Sequence, residues 1–149
     1  MDLKENTNQV FQQVTKAIQE TGREDGSVSV IAVTKYVDIA TAANLIDQGV
    51  KHIGENRVDK FLEKYHALSD KDVTWHLIGS LQRRKVKDVI PFVDYFHALD
   101  SLKLAQEIQK RADRTVKCFL QVNISGEESK HGFSKEELLT VLPDLSSLD

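Results

Sequence analysis

Short apolar segments recur along the chain at nearly constant intervals, and this spacing restricts the fold more than any other feature. The segments begin at Val28, Lys51, Thr74, Asp94 and Lys117, so successive starts lie 23, 23, 20 and 23 residues apart. Each segment has the composition of a buried strand, and a helical pattern of apolar residues follows it. Strands that alternate with helices pair in parallel through right-handed crossovers. The sequence therefore predicts an α/β fold of repeated βα units.

Two architectures contain such units: an open doubly wound sheet, or part of a (β/α)8 TIM barrel. The dinucleotide-binding version of the open sheet is disfavoured, because no Gly-x-Gly-x-x-Gly motif follows the first strand. In both architectures the carboxyl ends of the strands meet at one face, where such proteins place their binding groups.

The helical segments carry signals for where they begin. An apolar stripe predicts a first helix over residues 3–18. Asp100 or Ser101 is a candidate cap for the helix after the fourth strand. Ser134 and Glu137 form a capping box that predicts the start of the last helix.

Composition excludes several classes of protein. The 149 residues are 40% hydrophobic and 29% charged with a net charge of −3, so we expect one soluble domain over 1–149 and no nucleic-acid or membrane partner. No apolar run is long enough to span a bilayer and the amino terminus lacks a signal-peptide core, which favours a cytoplasmic protein. The single cysteine, Cys118, excludes an internal disulfide and a cysteine-based zinc site. We expect it to be a small buried residue of the fifth strand.

Polar residues at the strand ends define the candidate site. Lys35 ends the first apolar segment, and a lysine that is partly desolvated there has a lowered pKa and can hold a Schiff base. On this segment alone, the favoured interpretation is that Lys35 is simply the first solvated residue after a strand, because surface lysines far outnumber catalytic ones. The later strand ends offer Glu55, Asn56, Arg57, His76, Gly79, Ser80, His97, Asp100, Asn123 and Ser125. His76, Gly79 and Asn123 are candidate pocket-lining residues, although the histidine could be a satisfied strand residue and Asn123 a turn residue.

Neither a Ser-His-Asp triad nor a metal-ligand spacing occurs among these residues, so we expect no metal. The motifs VTK at 33–35, IGENR at 53–57, WHLIG at 75–79 with LQ at 81–82, and LQVNISG at 120–126 together resemble the YggS/PROSC (YlmE-like) family. These are pyridoxal-phosphate-binding homeostasis proteins, and the motifs follow the family's order over about residues 28–133.

The resemblance implies a barrel like the amino-terminal domain of alanine racemase, with pyridoxal 5'-phosphate held on the first-strand lysine. That lysine is Lys35 here, and Asn56 matches a residue that the family places near the cofactor. The resemblance also implies a role in cofactor homeostasis without established catalytic turnover, so no catalytic residue is assigned. We expect the cofactor to be the small-molecule partner of a monomer or weak oligomer.

About five βα units are recognisable where a barrel has eight, so the chain resembles the amino-terminal two-thirds of the family. The resemblance places the residues that bind the phosphate in the later βα units. Either the chain is part of a longer protein, which we favour, or another copy completes the barrel. We therefore expect it to bind the cofactor more weakly than a complete barrel.

Two other functions stay open. An enzyme of the alanine-racemase type would use the same lysine for amino-acid racemisation, but needs a further β-rich domain and a second acid/base residue, and nothing in the sequence supplies that domain. The chain could also be a structural fragment that binds no cofactor.

Overall fold

The structure, a computed structural model, describes residues 2–149, whose strands form one parallel sheet of five. The strands are β1 (Ile31–Val33), β2 (His52–Glu55), β3 (Thr74–Leu77), β4 (Tyr95–Leu99) and β5 (Lys117–Leu120). They lie in the order β1-β2-β3-β4-β5, each parallel to the next. A doubly wound sheet reverses its strand order at a switch point, whereas a barrel adds strands in sequence. The predicted barrel-type fold is therefore confirmed.

Helices follow the strands as predicted. They are α1 (Leu3–Glu20), α2 (Ile39–Asp47), α3 (Val58–Leu68), α4 (Val86–Val89), α5 (Leu102–Arg111) and α6 (Lys135–Ser146). Of the two candidate caps for α5, Ser101 is the one used, since its hydroxyl accepts a hydrogen bond from the amide of Leu104 at 3.1 Å. Ser134 caps α6 in the same way through the amide of Glu137, at 3.1 Å. Over residues 2–149, no helix has the length and apolarity needed to cross a membrane.

The helices cover one face of the sheet. Phe61 of α3 packs edge-on against Trp75 of β3, with ring centroids 5.6 Å apart. The same buried cluster takes in Phe96 of β4 and residues from α2, α4 and α5. A doubly wound sheet carries helices on both faces, but a barrel carries them only outside. One-sided packing is thus a second sign of barrel architecture.

We call the opposite side of the sheet the inner face, which carries His52, His76, Tyr95, His97 and Phe119. It is less covered at the edges of the sheet than at its centre. His76 on the central strand is 3% exposed, whereas Val33 on β1 and Phe119 on β5 are each 53% exposed.

Several strand boundaries differ from the prediction, and those of β1 and β2 affect the residues nearest to Lys35. β1 begins at Ile31 rather than at Val28, because its partner β2 begins at His52 and pairs first with Ile31. β2 continues through Glu55, which the sequence analysis counted among the polar residues of the candidate site at the end of the strand. Strand side chains alternate between faces, so Glu55 shares the helix-covered face with Ile53, and both are fully buried.

The expectation that Cys118 is buried is wrong. β5 is an edge strand of this sheet, and all four of its residues are exposed. The Cys118 side chain lines an open apolar groove between β5 and the helices α5 and α6. Its strand position was predicted correctly, but burial also depends on the elements that lie over a strand.

Candidate functional site

Lys35 lies in a tight turn directly after β1. The amide of Val37 donates a hydrogen bond to the carbonyl of Thr34 at 3.2 Å, which closes the turn over residues 34–37. The lysine side chain is half-buried, and its Nζ lies 5.1 Å from the ring centroid of Tyr36. This separation is within the range of a cation–π contact. The turn therefore presents the amine beside an aromatic ring at the carboxyl end of the first strand.

The groove that contains Lys35 is lined by charged as well as apolar residues. It runs between the turn and helix α3, and its lining includes Asp38, Lys60, Glu63 and Lys64. Asp38 caps α2 by accepting a hydrogen bond from the amide of Thr41 at 2.8 Å. Hydrogen bonding from Thr41 holds the pKa of the Asp38 carboxyl below its usual range. The groove therefore contains an anionic carboxylate as well as the lysine amine.

A buried ion pair lies behind the Lys35 turn, on the helix-covered face. The Nζ of Lys64 is 2.7 Å from Oε2 of Glu55, and the two side chains are 5% and 0% exposed. Lys64 also donates to the carbonyl of Thr34 at 2.5 Å, and the Thr34 hydroxyl donates to the same Glu55 oxygen. The other carboxylate oxygen, Oε1, has no hydrogen-bond partner within residues 2–149.

Asn56 and Gly79 meet through their backbones where β2 and β3 end. A Cβ atom on Gly79 would lie 2.1 Å from the Asn56 carbonyl oxygen and 2.9 Å from the Asn56 Cα. Only glycine allows the two chains to approach so closely. Gly79 therefore sets the position of Asn56, whose groove also includes Ser80, Gln82 and Arg84.

A row of hydrogen-bonded histidines crosses the inner face. His52 Nδ1 lies 2.9 Å from His76 Nε2, and His76 Nδ1 lies 2.8 Å from His97 Nε2. Burial, together with the neighbouring His97 and His52, lowers the pKa of His76 to about 4, and burial also lowers the pKa of His97. His76 is therefore neutral near pH 7, with one ring nitrogen donating and the other accepting.

Aromatic rings surround this row. The ring of His76 stacks on Tyr95 with centroids 4.6 Å apart, and His97 lies against Phe119 at 4.8 Å. Lys117 donates to the Tyr95 hydroxyl at 3.3 Å, so a cation lies at the far side of that ring. The Tyr95 ring therefore contacts both His76 and the amine of Lys117.

Asn123 shapes the loop after β5. Its Nδ2 donates to the carbonyl of Glu127 at 2.8 Å, and its Oδ1 accepts from the amide of Gly126 at 3.2 Å. The side chain is therefore engaged by its own loop, as the turn interpretation of the sequence allowed.

The predicted site residues thus fall in separate places. Lys35 and Asn56 line different grooves at the carboxyl ends of adjacent strands, and Gly79 touches Asn56. His76 lies inside β3 on the inner face, below the strand end, and Asn123 belongs to the loop after β5.

Two residues of this arrangement were missed in the sequence. Lys64 lies three residues after Phe61 and four before Leu68, on the apolar stripe of α3. A lysine in that register indicates a buried charge with a partner, so the signal was present. His52 was missed because its importance depends on pairing with β3, which the strand pattern alone does not specify.

The fold and the position of Lys35 define a class: an α/β protein of the barrel type with an amine at the carboxyl end of its first strand. Residues 7–149 match the family described as alanine racemase, N-terminal domain. The pyridoxal phosphate homeostasis protein of Aquifex aeolicus is 38% identical over 141 residues, which cover 93% of this chain and 62% of that protein. The Pseudomonas aeruginosa protein of the same name is 32% identical, with 90% of this chain and 60% of that protein covered.

Solved structures agree with this relationship. PipY of Synechococcus elongatus PCC7942, solved without and with pyridoxal phosphate, matches 91% of this chain with TM-scores of 0.79 and 0.78 and identities of 33% and 32%. The match covers 65% and 64% of those chains. An alanine racemase from Clostridium difficile 630 has a TM-score of 0.66 at 16% identity over 85% of this chain and 34% of its own, which supports the fold alone.

The chain therefore belongs to the alanine racemase N-terminal domain family, and within that family it is similar to the proteins named pyridoxal phosphate homeostasis protein, as its motifs indicated. It spans about 60 to 65% of the length of these relatives.

Replacing Gly79 with alanine should destabilise the protein, because the added Cβ would overlap the Asn56 backbone, which cannot rotate away. We expect a loss of roughly 1–3 kcal/mol in the free energy of unfolding, measured by urea denaturation. Ser80→Ala, at the exposed neighbouring position, is the control and should change stability by less than about 0.5 kcal/mol. Equal stabilities for the two variants would contradict the close approach.

Acidification should destabilise the protein through the histidine row. The native pKa of His76 is about 4 against 6.5 for the free side chain, so the unfolded chain binds its proton first as the pH falls. We expect the free energy of unfolding to drop by on the order of 3 kcal/mol across this interval. In His76→Gln this part of the pH dependence should disappear, whereas the exposed control His131→Gln should retain it. An unchanged pH profile in His76→Gln would contradict the prediction.

Proposed function

We propose that this protein binds pyridoxal 5'-phosphate and holds it as a Schiff base on Lys35. The observation that carries the proposal is the position of Lys35: a half-buried amine in the turn after the first strand of a barrel-type sheet. The pyridoxal phosphate named for the PipY structure, at 32% identity to this chain, supports the choice of cofactor.

The residues at the strand ends fit part of what this cofactor needs, which is an amine for its aldehyde, contacts for its ring and a grip on its phosphate. The cofactor supplies the aldehyde, and Lys35 supplies the amine. Tyr36 lies beside the amine and covers one side of it. Asn56, at the end of the adjacent strand, offers an amide that both donates and accepts hydrogen bonds.

The other predicted site residues would act around this centre. Gly79 sets the position of Asn56 through the backbone contact. His76 contributes an uncharged polar side chain to the inner face. Asn123 holds the loop after β5 in a fixed shape. We propose these three as pocket-lining or pocket-shaping residues of one domain over 1–149.

For the whole protein we propose a role in cofactor homeostasis without catalytic turnover. The name shared by the curated relatives supports this role. We further propose a cytoplasmic monomer or weak oligomer whose partner is the cofactor rather than nucleic acid. The net charge of −3 supports the last point, since nucleic-acid binding is driven by basic surfaces.

Replacing Lys35 with alanine should abolish the Schiff base. The protein without any substitution is incubated with pyridoxal 5'-phosphate and reduced with borohydride. Peptide mapping should then place the label on Lys35. Lys60→Ala is the matched control, because Lys60 lines the same groove and its loss should leave the label in place. A label on another lysine, or an undiminished label in Lys35→Ala, would refute the assignment.

The absence of turnover can be tested separately. The cofactor-loaded protein should not racemise any common amino acid when chiral chromatography follows the reaction over many protein equivalents. Sustained turnover that disappears in Lys35→Ala would overturn the homeostasis role in favour of an amino-acid racemase.

A further inference from the structure

The ion pair of Glu55 and Lys64 is an unusual feature of the helix-covered core. Burying two charges costs several kcal/mol each on desolvation, and apolar residues of similar size often stabilise such a site equally well. Here the two side chains are 0% and 5% exposed, and Oε1 of Glu55 lacks a hydrogen-bond partner within residues 2–149. Stability alone is therefore a weak reason for this arrangement.

The contacts of the pair converge on the residue that precedes Lys35. Lys64 donates to the Thr34 carbonyl at 2.5 Å, and Glu55 accepts from the Thr34 hydroxyl. Thr34 is fully buried, and its amide also donates to the carbonyl of Gly54 at 3.0 Å. Its amide, hydroxyl and carbonyl are therefore all held, by groups from β2 and α3.

The carbonyl of Thr34 also closes the Lys35 turn. It accepts the hydrogen bond from the amide of Val37 at 3.2 Å in addition to that from Lys64. This carbonyl belongs to the peptide unit that joins Thr34 to Lys35, so its orientation sets the direction in which the Lys35 side chain leaves β1. A charge-assisted hydrogen bond is about twice as strong as a neutral one and so restrains this peptide firmly.

We propose that Glu55 and Lys64 are positioning residues for Lys35. They act through Thr34 and fix the turn so that the Lys35 amine keeps one orientation. The benefit of this fixed orientation for cofactor binding rests on the proposed function. The restraint on the turn itself does not depend on the cofactor. An amine held in place reacts with an aldehyde faster than one that samples many orientations.

The main test compares two double variants in the full chain. E55Q/K64M removes both buried charges together, which avoids leaving one unpaired. D47N/K71M is the matched control, because it neutralises another lysine–carboxylate pair, 3.1 Å apart and more exposed. Thr34→Val removes only the hydroxyl contact and is the milder variant if E55Q/K64M does not fold.

Hydrogen exchange measured without cofactor is the first readout. In E55Q/K64M, the peptide covering residues 34–37 should exchange about tenfold faster than in the unmodified protein, while peptides from α5 should not change. Thr34→Val should show a smaller acceleration in the same peptide, and D47N/K71M none. Unchanged exchange at 34–37 in the folded variants, or acceleration spread evenly over the chain, would overturn the proposal.

The rate of Schiff base formation is the second readout, measured by borohydride trapping at Lys35 with pyridoxal 5'-phosphate. E55Q/K64M should be slowed by about tenfold relative to D47N/K71M. A label on Lys35 that forms at the same rate in both variants would refute the positioning role but not the proposed function. If the unmodified protein takes no label at Lys35, the proposed function fails, and the exchange measurement still decides whether the pair restrains the turn.

Discussion

Sequential parallel pairing of the strands is the constraint on which the rest of this structure depends. Each strand hydrogen-bonds to the one before it in the chain, so all of the carboxyl ends reach the same rim. Lys35, Asn56 and Gly79 follow three successive strands and so lie along the same rim, although successive members are more than 20 residues apart in the chain. Within residues 2–149 the crossovers pack on one side of the sheet, and the inner face carries no helix.

Much of this was predictable because it depends on local patterns. The regular spacing of apolar segments predicted the strands, the capping box predicted the cap of α6, and the cap of α5 was predicted as Asp100 or Ser101, of which Ser101 is used. The motifs predicted the family and the place of Lys35 after the first strand. Glu55 was counted among the polar residues at the end of the second strand, whereas in the structure Gly54 pairs with His76 and the strand continues through Glu55. The prediction that Cys118 is buried was wrong, because burial on an edge strand depends on the elements that cover it.

The sheet separates two kinds of buried polar group. On the helix-covered side, Glu55 and Lys64 are an ion pair that binds the backbone before Lys35. On the inner face, His52, His76 and His97 satisfy one another through ring nitrogens. Neither arrangement follows from residue identity alone, because each needs partners from different strands or helices. The sequence contained their members but not their pairing, and only the lysine on the α3 stripe gave a clear local sign.

The histidine row has a consequence for how its protons are arranged. A neutral imidazole has one N–H, and His76 uses both ring nitrogens in hydrogen bonds. If His76 donates to His97, it must accept from His52, and if it donates to His52, it must accept from His97. Reversing one contact therefore requires all three rings to exchange tautomers together. The three histidines therefore behave as one cooperative unit, whose hydrogen bonds all point one way along the row or all point the other way. Either direction gives the inner face a dipole that the backbone alone does not provide.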